Sequence, residues 1–394
     1  MELRTLEDLG DVAGKRVFVR ADFNVPLQDG KVADDLRIRA TLPTLNELLG
    51  AGAALVVASH LGRPKGQVGR DLQLAPVGDR LAELLGQDVA ALDDVAGEAA
   101  QAVCAHIDPG EVVLLENLRF DPGEEANDPV FAGRLASLAD LCVDDAFGAA
   151  HRDHASVVGM EQLLPSAAGR LLQREVEVLS KLLEGPETPY VAILGGAKVA
   201  DKLDAISALV KRVDALLIGG AMAFTFLAAD GASVGRSLCE PERFDDVRAA
   251  LKLAEERGVL IQLPEDVVAA PEKSVEAKSK TVPARDIPRD LAGFDIGPRT
   301  VEEFARTLAD AATILWNGPM GVSEMEPFAA GTRGVATAIA GSKAFSVVGG
   351  GDSLLAVKRL GLEDAFDHLS TGGGASLEFL EGRELPGIKV LEKA

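Results

Sequence analysis

Cysteine, aromatic residues and positive charge are all scarce in this chain of 394 residues. Its three cysteines, Cys104, Cys142 and Cys239, stand far apart and form no CxxC pair. That spacing argues against a disulfide framework or a structural zinc site and fits a reducing compartment. Aromatics make up 4% of a chain that is 47% hydrophobic, so its cores must be built from Ala, Val, Leu and Ile. The 40 Lys and Arg are outnumbered by 62 Asp and Glu, leaving a formal charge of −22. Such a balance repels nucleic acid and anionic membranes, so neither is expected as a general partner. No uncharged apolar run of about 18 residues occurs, which predicts no spanning helix. The segment MELRTLEDLG carries early acids and no apolar run, unlike a signal peptide. A cytoplasmic protein is the expectation. GxxxxGK[ST] is also missing, and no GxGxxG follows a strand pattern, which weighs against a nicotinamide-dependent dehydrogenase.

Short runs rich in Val, Ile and Leu recur instead, each followed by a polar or glycine-rich loop and then by helical spacing. Strands are predicted near 15–20, 53–58, 111–116 and 141–144, and again near 190–194, 213–218, 258–263, 312–316 and 344–348. Continuous apolar runs imply strands buried on both faces, as in a parallel sheet. Segments 74–86, 199–211 and 300–310 space their apolar residues at three and four. Strand and helix are thus expected to alternate throughout, as in doubly wound α/β domains. The length suits two domains. The boundary is placed at a helix over 169–184, which stops at the Gly and two Pro of GPETP. That gives domains at 1–168 and 185–380.

In open α/β sheets, ligands bind beyond the carboxyl ends of the strands. In the first half those loops carry Asp22 and Asn24, then Ser59-His60-Leu61-Gly62-Arg63, then Asn117-Leu118-Arg119, then His151-Arg152, while Arg37 opens the helical run after a DG turn at Asp29-Gly30. Asp22 and Asn24 either bind ligand hydroxyls or form the turn into the hairpin. A lone surface arginine is usually a solvated charge. Four Arg and a His, most of them just past successive strands of an acidic chain, point to a small, multiply anionic ligand, because the guanidinium fork suits phosphate and carboxylate. His151 and His154 form an HxxH without a third ligand, too little for a metal.

The second half carries glycine loops. Gly195-Gly196 precedes Lys198 and Lys202, which are expected on one face of a helix opening there, with free backbone N–H groups aimed at an anion. Gly219-Gly220, Asn317-Gly318-Pro319, Gly349-Gly350-Gly351-Asp352-Ser353 and Thr371-Gly372-Gly373-Gly374 follow. Asp352 reads as a helix N-cap, as a Mg²⁺ ligand, or as both. Gly231-Ala232-Ser233-Val234-Gly235 matches GxSxG but lacks the preceding strand of a nucleophile elbow, and reads as a loop.

In order, these loops give RADFNVP (20–26), SHLGRP (59–64), ENLRF (116–120), DDAFGAAHR (144–152), LGGAKVADKL (194–203), WNGPMGVSEM (316–325), GGGDS (349–353) and STGGGASLEFLEG (370–382). With these motifs the chain resembles the phosphoglycerate kinase family from end to end. The resemblance implies two Rossmann-like, doubly wound parallel-sheet domains facing each other across a cleft, with residues 381–394 returning to the first. It implies a monomer that moves a phosphoryl group reversibly between 1,3-bisphosphoglycerate and MgADP in glycolysis. By similarity, Asp22, Asn24, Arg37, His60, Arg63, Arg119 and Arg152 would bind phosphoglycerate. Lys202, Gly350, Gly351 and Ser353 would serve the phosphates, Asp352 the Mg²⁺, and Glu324 the ribose. Gly219, Gly220, Gly293, Asn317 and Pro319 would shape the adenosine pocket. Arg37, Lys198, Gly372 and Gly373 would stabilise the transferring group, whose charge spreads over three equatorial oxygens. Lys198, Lys202 and Asp352 are all present, which weighs against a non-catalytic binding protein. Ala221 and Phe224 stand where the family pattern has Gly and Tyr; Ala149 stands for a Thr and Ser323 for a Phe.

Overall fold

The computed structural model describes residues 2–393; Met1 and Ala394, the outer ends of the first expected domain and of the returning segment, lie outside the described residues. Two compact units are present, one running up to Val178 and including the segment from Glu384, the other spanning Leu179–Arg383. The division falls within helix α2 (Arg170–Glu184). The segment from Glu384 is held to the first unit by backbone bonds, Gly387 N to Ala150 O and Arg4 N to Leu391 O, each 2.9 Å.

The first unit is built on six parallel strands: β1 (Arg16–Ala21), β2 (Ala54–Ala58), β3 (Val89–Ala91), β4 (Val112–Leu114), β5 (Leu141–Asp145) and β6 (Ser166–Ala168). Their order is β3-β4-β2-β1-β5-β6. Successive side chains of a strand point to opposite faces. Val17, Val19, Leu55 and Val57 therefore enter one apolar cluster while Phe18, Val56 and Cys142 enter another on the far side. Burial on both faces is why these runs show no polar alternation. The hairpin Leu27–Gln28/Lys31–Val32 turns at Asp29 and Gly30, both at positive φ, and leads into α1 (Leu36–Gly50). Positive φ at both central residues is what a tight two-residue hairpin turn needs.

The second unit has its own six parallel strands: β7 (Tyr190–Leu194), β8 (Ala215–Ile218), β9 (Leu260–Gln262), β10 (Thr313–Asn317), β11 (Phe345–Gly349) and β12 (His368–Leu369). Their order β9-β8-β7-β10-β11-β12 is the doubly wound arrangement whose chain direction reverses beside the first strand. Helices α3 (Leu203–Leu209), α4 (Gly351–Arg359) and α5 (Gly374–Leu380) follow β7, β11 and β12. The sole Trp and the sole Tyr, Trp316 and Tyr190, are both fully buried.

Strict alternation fails over 266–296. There Asp266–Ala270, Lys280–Pro283 and Ala292–Ile296 form an antiparallel sheet with a register shift between Val268 and Ala269. Strands β3, β6 and β12, of two or three residues, are too short to announce themselves by pattern. The expected helix over 199–211 is shorter, a single 3₁₀ turn at Ala200–Lys202 and then α3. Ser233–Val234, expected as loop, is a two-residue strand beside Asp286–Ile287.

Asp145 closes β5 and receives Leu171 N at 2.9 Å and Leu172 N at 3.2 Å, tying the start of α2 to the sheet. A Cβ on Gly169 would overlap that carboxylate. Gly169→Ala is expected to cost about 1–3 kcal/mol, the usual range for overpacking, read as a lower denaturation midpoint in urea. An unchanged midpoint would show that Asp145 does not brace this junction.

Candidate functional site

The loops after β1, β2, β4 and β5 converge in the first unit. Asp22 Oδ2 accepts from Arg37 Nη1 at 2.6 Å, and Asp22 Oδ1 accepts from Asn24 N at 3.2 Å. Asn24 Oδ1 accepts from Gly62 N at 2.9 Å, while Arg119 Nη1 donates to Gly62 O at 2.6 Å. His60 Nε2 lies 4.0 Å from Asp22 Oδ1. Arg152 acts electrostatically on both His60 and Arg119. Asp22, Asn24, Arg37, His60, Arg119 and Arg152 thus form one cluster. Arg63 is exposed next to Gly62, and no hydrogen bond joins its side chain to the cluster among the described residues. Burial first, and then Arg152 and Arg20, push the Arg119 guanidinium down to about 10.

Two residues of the motifs prove to be the braces. Asn117 accepts from Leu61 N and Arg119 N and donates to Leu61 O and Leu72 O, which staples the β2 loop to the β4 loop. Ser59 Oγ accepts from Phe23 N at 2.8 Å and joins the β1 loop to the β2 loop. Both are fully buried. A polar residue inside each quoted motif was the available signal.

In the second unit, the ends of β7, β8 and β10 are laced through their backbones. Gly195 N donates to Asn317 O, Gly196 N to Pro319 O and Gly220 N to Met320 O, each at 3.0 Å. The N–H groups of the Gly195-Gly196 pair are therefore spent inside the protein, contrary to the expectation that they point at an anion. Lys198 and Lys202 do not share a helix face either. Lys198 is exposed in an irregular loop, while Lys202 ends the 3₁₀ turn before α3. Lys202 Nζ donates to Gly195 O (2.7 Å), Asn317 O (2.8 Å) and Asn317 Oδ1 (2.7 Å). Burial pushes that amine down to about 8, against the charges of Asp352 and Asp201.

Asp352 is the second residue of α4, whose N-cap is Gly350, so the capping role expected of it is not the one it has. Its carboxylate is exposed and makes no hydrogen bond among the described residues. Ser353 is buried and its Oγ accepts from Gly318 N at 2.7 Å. Gly372 N donates to Ser370 Oγ at 3.3 Å, and Gly373, at positive φ, caps α5.

Beside these loops lies a cavity of about 710 Å³. Gly220, Gly293, Pro319, Glu324 and Asp352 line it; Lys202, Gly219, Asn317, Gly350, Gly351 and Ser353 do not. Arg236, Leu238 and Lys273 line it as well, and nothing in the sequence singled them out. Lys273 Nζ sits 3.1 Å from Glu324 Oε1. The ring of Phe224 fills the space that a Cβ on Gly293 would need. The departure at Phe224 is thus packed directly behind a lining glycine.

A family model described as phosphoglycerate kinase matches residues 6–383. The chain is 55% identical over 389 residues to a phosphoglycerate kinase of Thermomicrobium roseum, covering 99% of each chain. It is 56% identical over 391 residues to one from Thermus thermophilus, covering 99% of this chain and 100% of that one. The chain belongs to the phosphoglycerate kinase family. Solved phosphoglycerate kinases share its fold. That of Coxiella burnetii superposes with a TM-score of 0.86 at 41% identity and 99% coverage of both chains. That of Pyrococcus horikoshii gives 0.89 at 35% identity, covering 99% of this chain and 98% of the other. As a family member the chain is a kinase, a phosphotransferase of glycolysis with two parallel-sheet units. No helix among the described residues is long and apolar enough to cross a membrane.

Proposed function

We propose that the first unit holds the three-carbon acid and the second the nucleotide of the family's reaction, the reversible transfer of a phosphoryl group from 1,3-bisphosphoglycerate to MgADP, giving 3-phosphoglycerate and MgATP. The observation that carries this division is the gathering of Arg37, Arg119 and Arg152 around His60, with Asp22 beside it, within one unit of a protein charged −22. Arginine forks suit the phosphate and carboxyl ends of a glycerate, and Asp22 and Asn24 suit its hydroxyl end. Arg63, on the adjoining loop, extends the same basic surface.

On the nucleotide side, the cavity takes the adenosine between Gly220, Gly293 and Pro319, with Gly219 and Asn317 supporting its floor and Glu324 at the ribose. Gly350, Gly351 and Ser353 open α4, along which the phosphates lie, and Lys202 reaches them from the opposite loop by giving up bonds to Gly195 O and Asn317. Among the described residues, no group of three or more His, Cys, Asp or Glu could hold a metal. Asp352, whose exposed carboxylate makes no hydrogen bond among the described residues, lines the cavity beside the phosphate-side glycines. That suits Mg²⁺ arriving with the nucleotide, since this ion keeps phosphate oxygens and waters as its other ligands.

Transfer then needs positioning and charge stabilisation more than covalent chemistry. Arg37, Lys198 and the backbone N–H of Gly373 stabilise the equatorial oxygens, in line and after closure of the two units, joined by the N–H of Gly372 once it leaves Ser370 Oγ. Closure excludes water that would otherwise consume the acyl phosphate. The protein works as a cytoplasmic monomer.

Mixing the protein with 3-phosphoglycerate and MgATP, with the product drained by a coupled NADH oxidation, tests the reaction. Turnover is expected; none at micromolar enzyme would refute it. Lys198→Ala is expected to lower kcat about 100-fold or more, the scale of losing one oxyanion donor, with little change in KM for MgATP. Unchanged turnover would remove Lys198 from the mechanism. The Lys202 amine is a cation below its value of about 8 and neutral above it. As kcat/KM reports the free enzyme, kcat/KM for MgATP is expected to fall as pH rises through about 8. Lys202→Arg, charged throughout, should abolish that inflection. A wild-type profile flat to pH 9.5 would contradict the role of Lys202.

A further inference from the structure

We propose that Arg20 is a positioning residue that locks His60 as the neutral tautomer protonated on Nε2, so that His60 acts as an uncharged hydrogen-bond donor to a substrate oxygen and not as one more cation. The proposal rests on the reading of the first unit as the phosphoglycerate site. Arg20, next to last in β1, is fully buried, and all three of its nitrogens are engaged. Nε donates to Ser156 Oγ at 2.7 Å, Nη1 to Ala21 O at 2.5 Å, and Nη2 lies 3.3 Å from His60 Nδ1. A guanidinium has no acceptor, so the imidazole must offer the lone pair of Nδ1, and its single proton then sits on Nε2. An imidazolium would set N–H against N–H.

The guanidinium is itself held from behind. Ser156 passes its contact on, with Oγ donating to Glu124 Oε1 at 2.7 Å and its backbone N to Glu124 Oε2 at 3.0 Å. On the other side of the ring, the Nε2 proton faces Asp22 Oδ1 across 4.0 Å, too far for a hydrogen bond. Asp22 is already taken by Arg37 and by Asn24 N. The Nε2–H is left for a ligand. The charged groups around the ring are Arg20 on β1, Asp22 on the loop after it, Arg37 on α1, Arg119 after β4 and Arg152 after β5. Burial first, and then these four cations, hold the imidazole well below its ordinary value. Hydrogen-bond geometry and charge thus select the same form.

The test is a long-range proton–nitrogen NMR correlation on the full chain labelled with [¹⁵N]histidine, from about pH 5.5 to 8, the span in which an unperturbed histidine titrates. The chain has five histidines, and His60 is assigned by the signal lost in His60→Gln. A pyrrole-type Nε2 and a pyridine-type Nδ1 that do not move with pH are expected. A pyrrole-type Nδ1, or a ring that titrates in this range, overturns the proposal, and both are read in the wild-type chain. In Arg20→Met, where burial and Arg37, Arg119 and Arg152 still keep the ring neutral, its two nitrogens are expected to average between tautomers, and the KM profile for 3-phosphoglycerate to rise severalfold while that for MgATP does not. An unchanged tautomer and an unchanged profile in that variant would overturn the role of Arg20. Adding 3-phosphoglycerate to the wild type should shift the Nε2–H signal. No shift, with the tautomer as expected, would refute the donor role and the substrate-site reading while leaving the tautomer lock intact.

Discussion

Four guanidinium groups, those of Arg20, Arg37, Arg119 and Arg152, act on one buried imidazole, and holding them together is the constraint around which the first unit is organised. Like charges repel, and burial makes each charge harder to keep. The offset comes from acids placed behind and between the cations. Asp22 takes Arg37, and Glu124 reaches Arg20 through Ser156. Burial pushes Asp144 up to about 6 and Glu161 well above its ordinary range. Burial thus favours the neutral forms of both acids, which limits the negative charge set beside the arginines. The phosphoglycerate proposed for this cluster would complete the balance with its own negative charge. Donors fixed in advance cost no reorganisation when the ligand arrives.

The second unit solves a different problem by different means. The nucleotide proposed for it is large and mostly neutral at the base end, so shape would count for more there than charge. Three strand-end loops are laced backbone to backbone, and glycines permit the approach: a Cβ on Gly195 or Gly220 would strike the main chain of its neighbours. Lys202 is the exception. Its ammonium sits in a cage of three oxygens with no carboxylate among them, and burial lowers the amine to about 8.

The parallel strands were legible because burial on both faces leaves unbroken Val, Ile and Leu runs, as in KRVFVR and YVAIL. The loops after them were legible because ligands of such sheets gather at strand ends, and the motifs lie there. The antiparallel strands over 266–296 were not. They are interrupted by charged residues on an exposed hairpin, and Lys280–Pro283 is exposed at three of its four residues. The spacing of Lys198 and Lys202 suggested one helix face, but tertiary packing delays the helix until Leu203. Composition also could not say which backbone N–H groups remain free, because the acceptors of Gly195 and Gly196 come from residues more than 100 positions away. Arg20 sits in a quoted motif, yet only burial reveals that it faces a histidine and not a ligand.

The central claim is that each unit binds its own substrate through its own strand-end loops. Calorimetric titration of the full chain with 3-phosphoglycerate and with MgADP, each alone, measures this in two variants. Arg119→Met should weaken 3-phosphoglycerate by at least about tenfold, the order expected when a charge-assisted hydrogen bond is lost, and leave MgADP binding unchanged. Gly293→Ala, whose added Cβ meets the Phe224 ring behind the cavity, should do the reverse. The untouched substrate in each variant reports that the chain has folded. If either substitution weakened both substrates alike, or the wrong one, the division of labour would be contradicted.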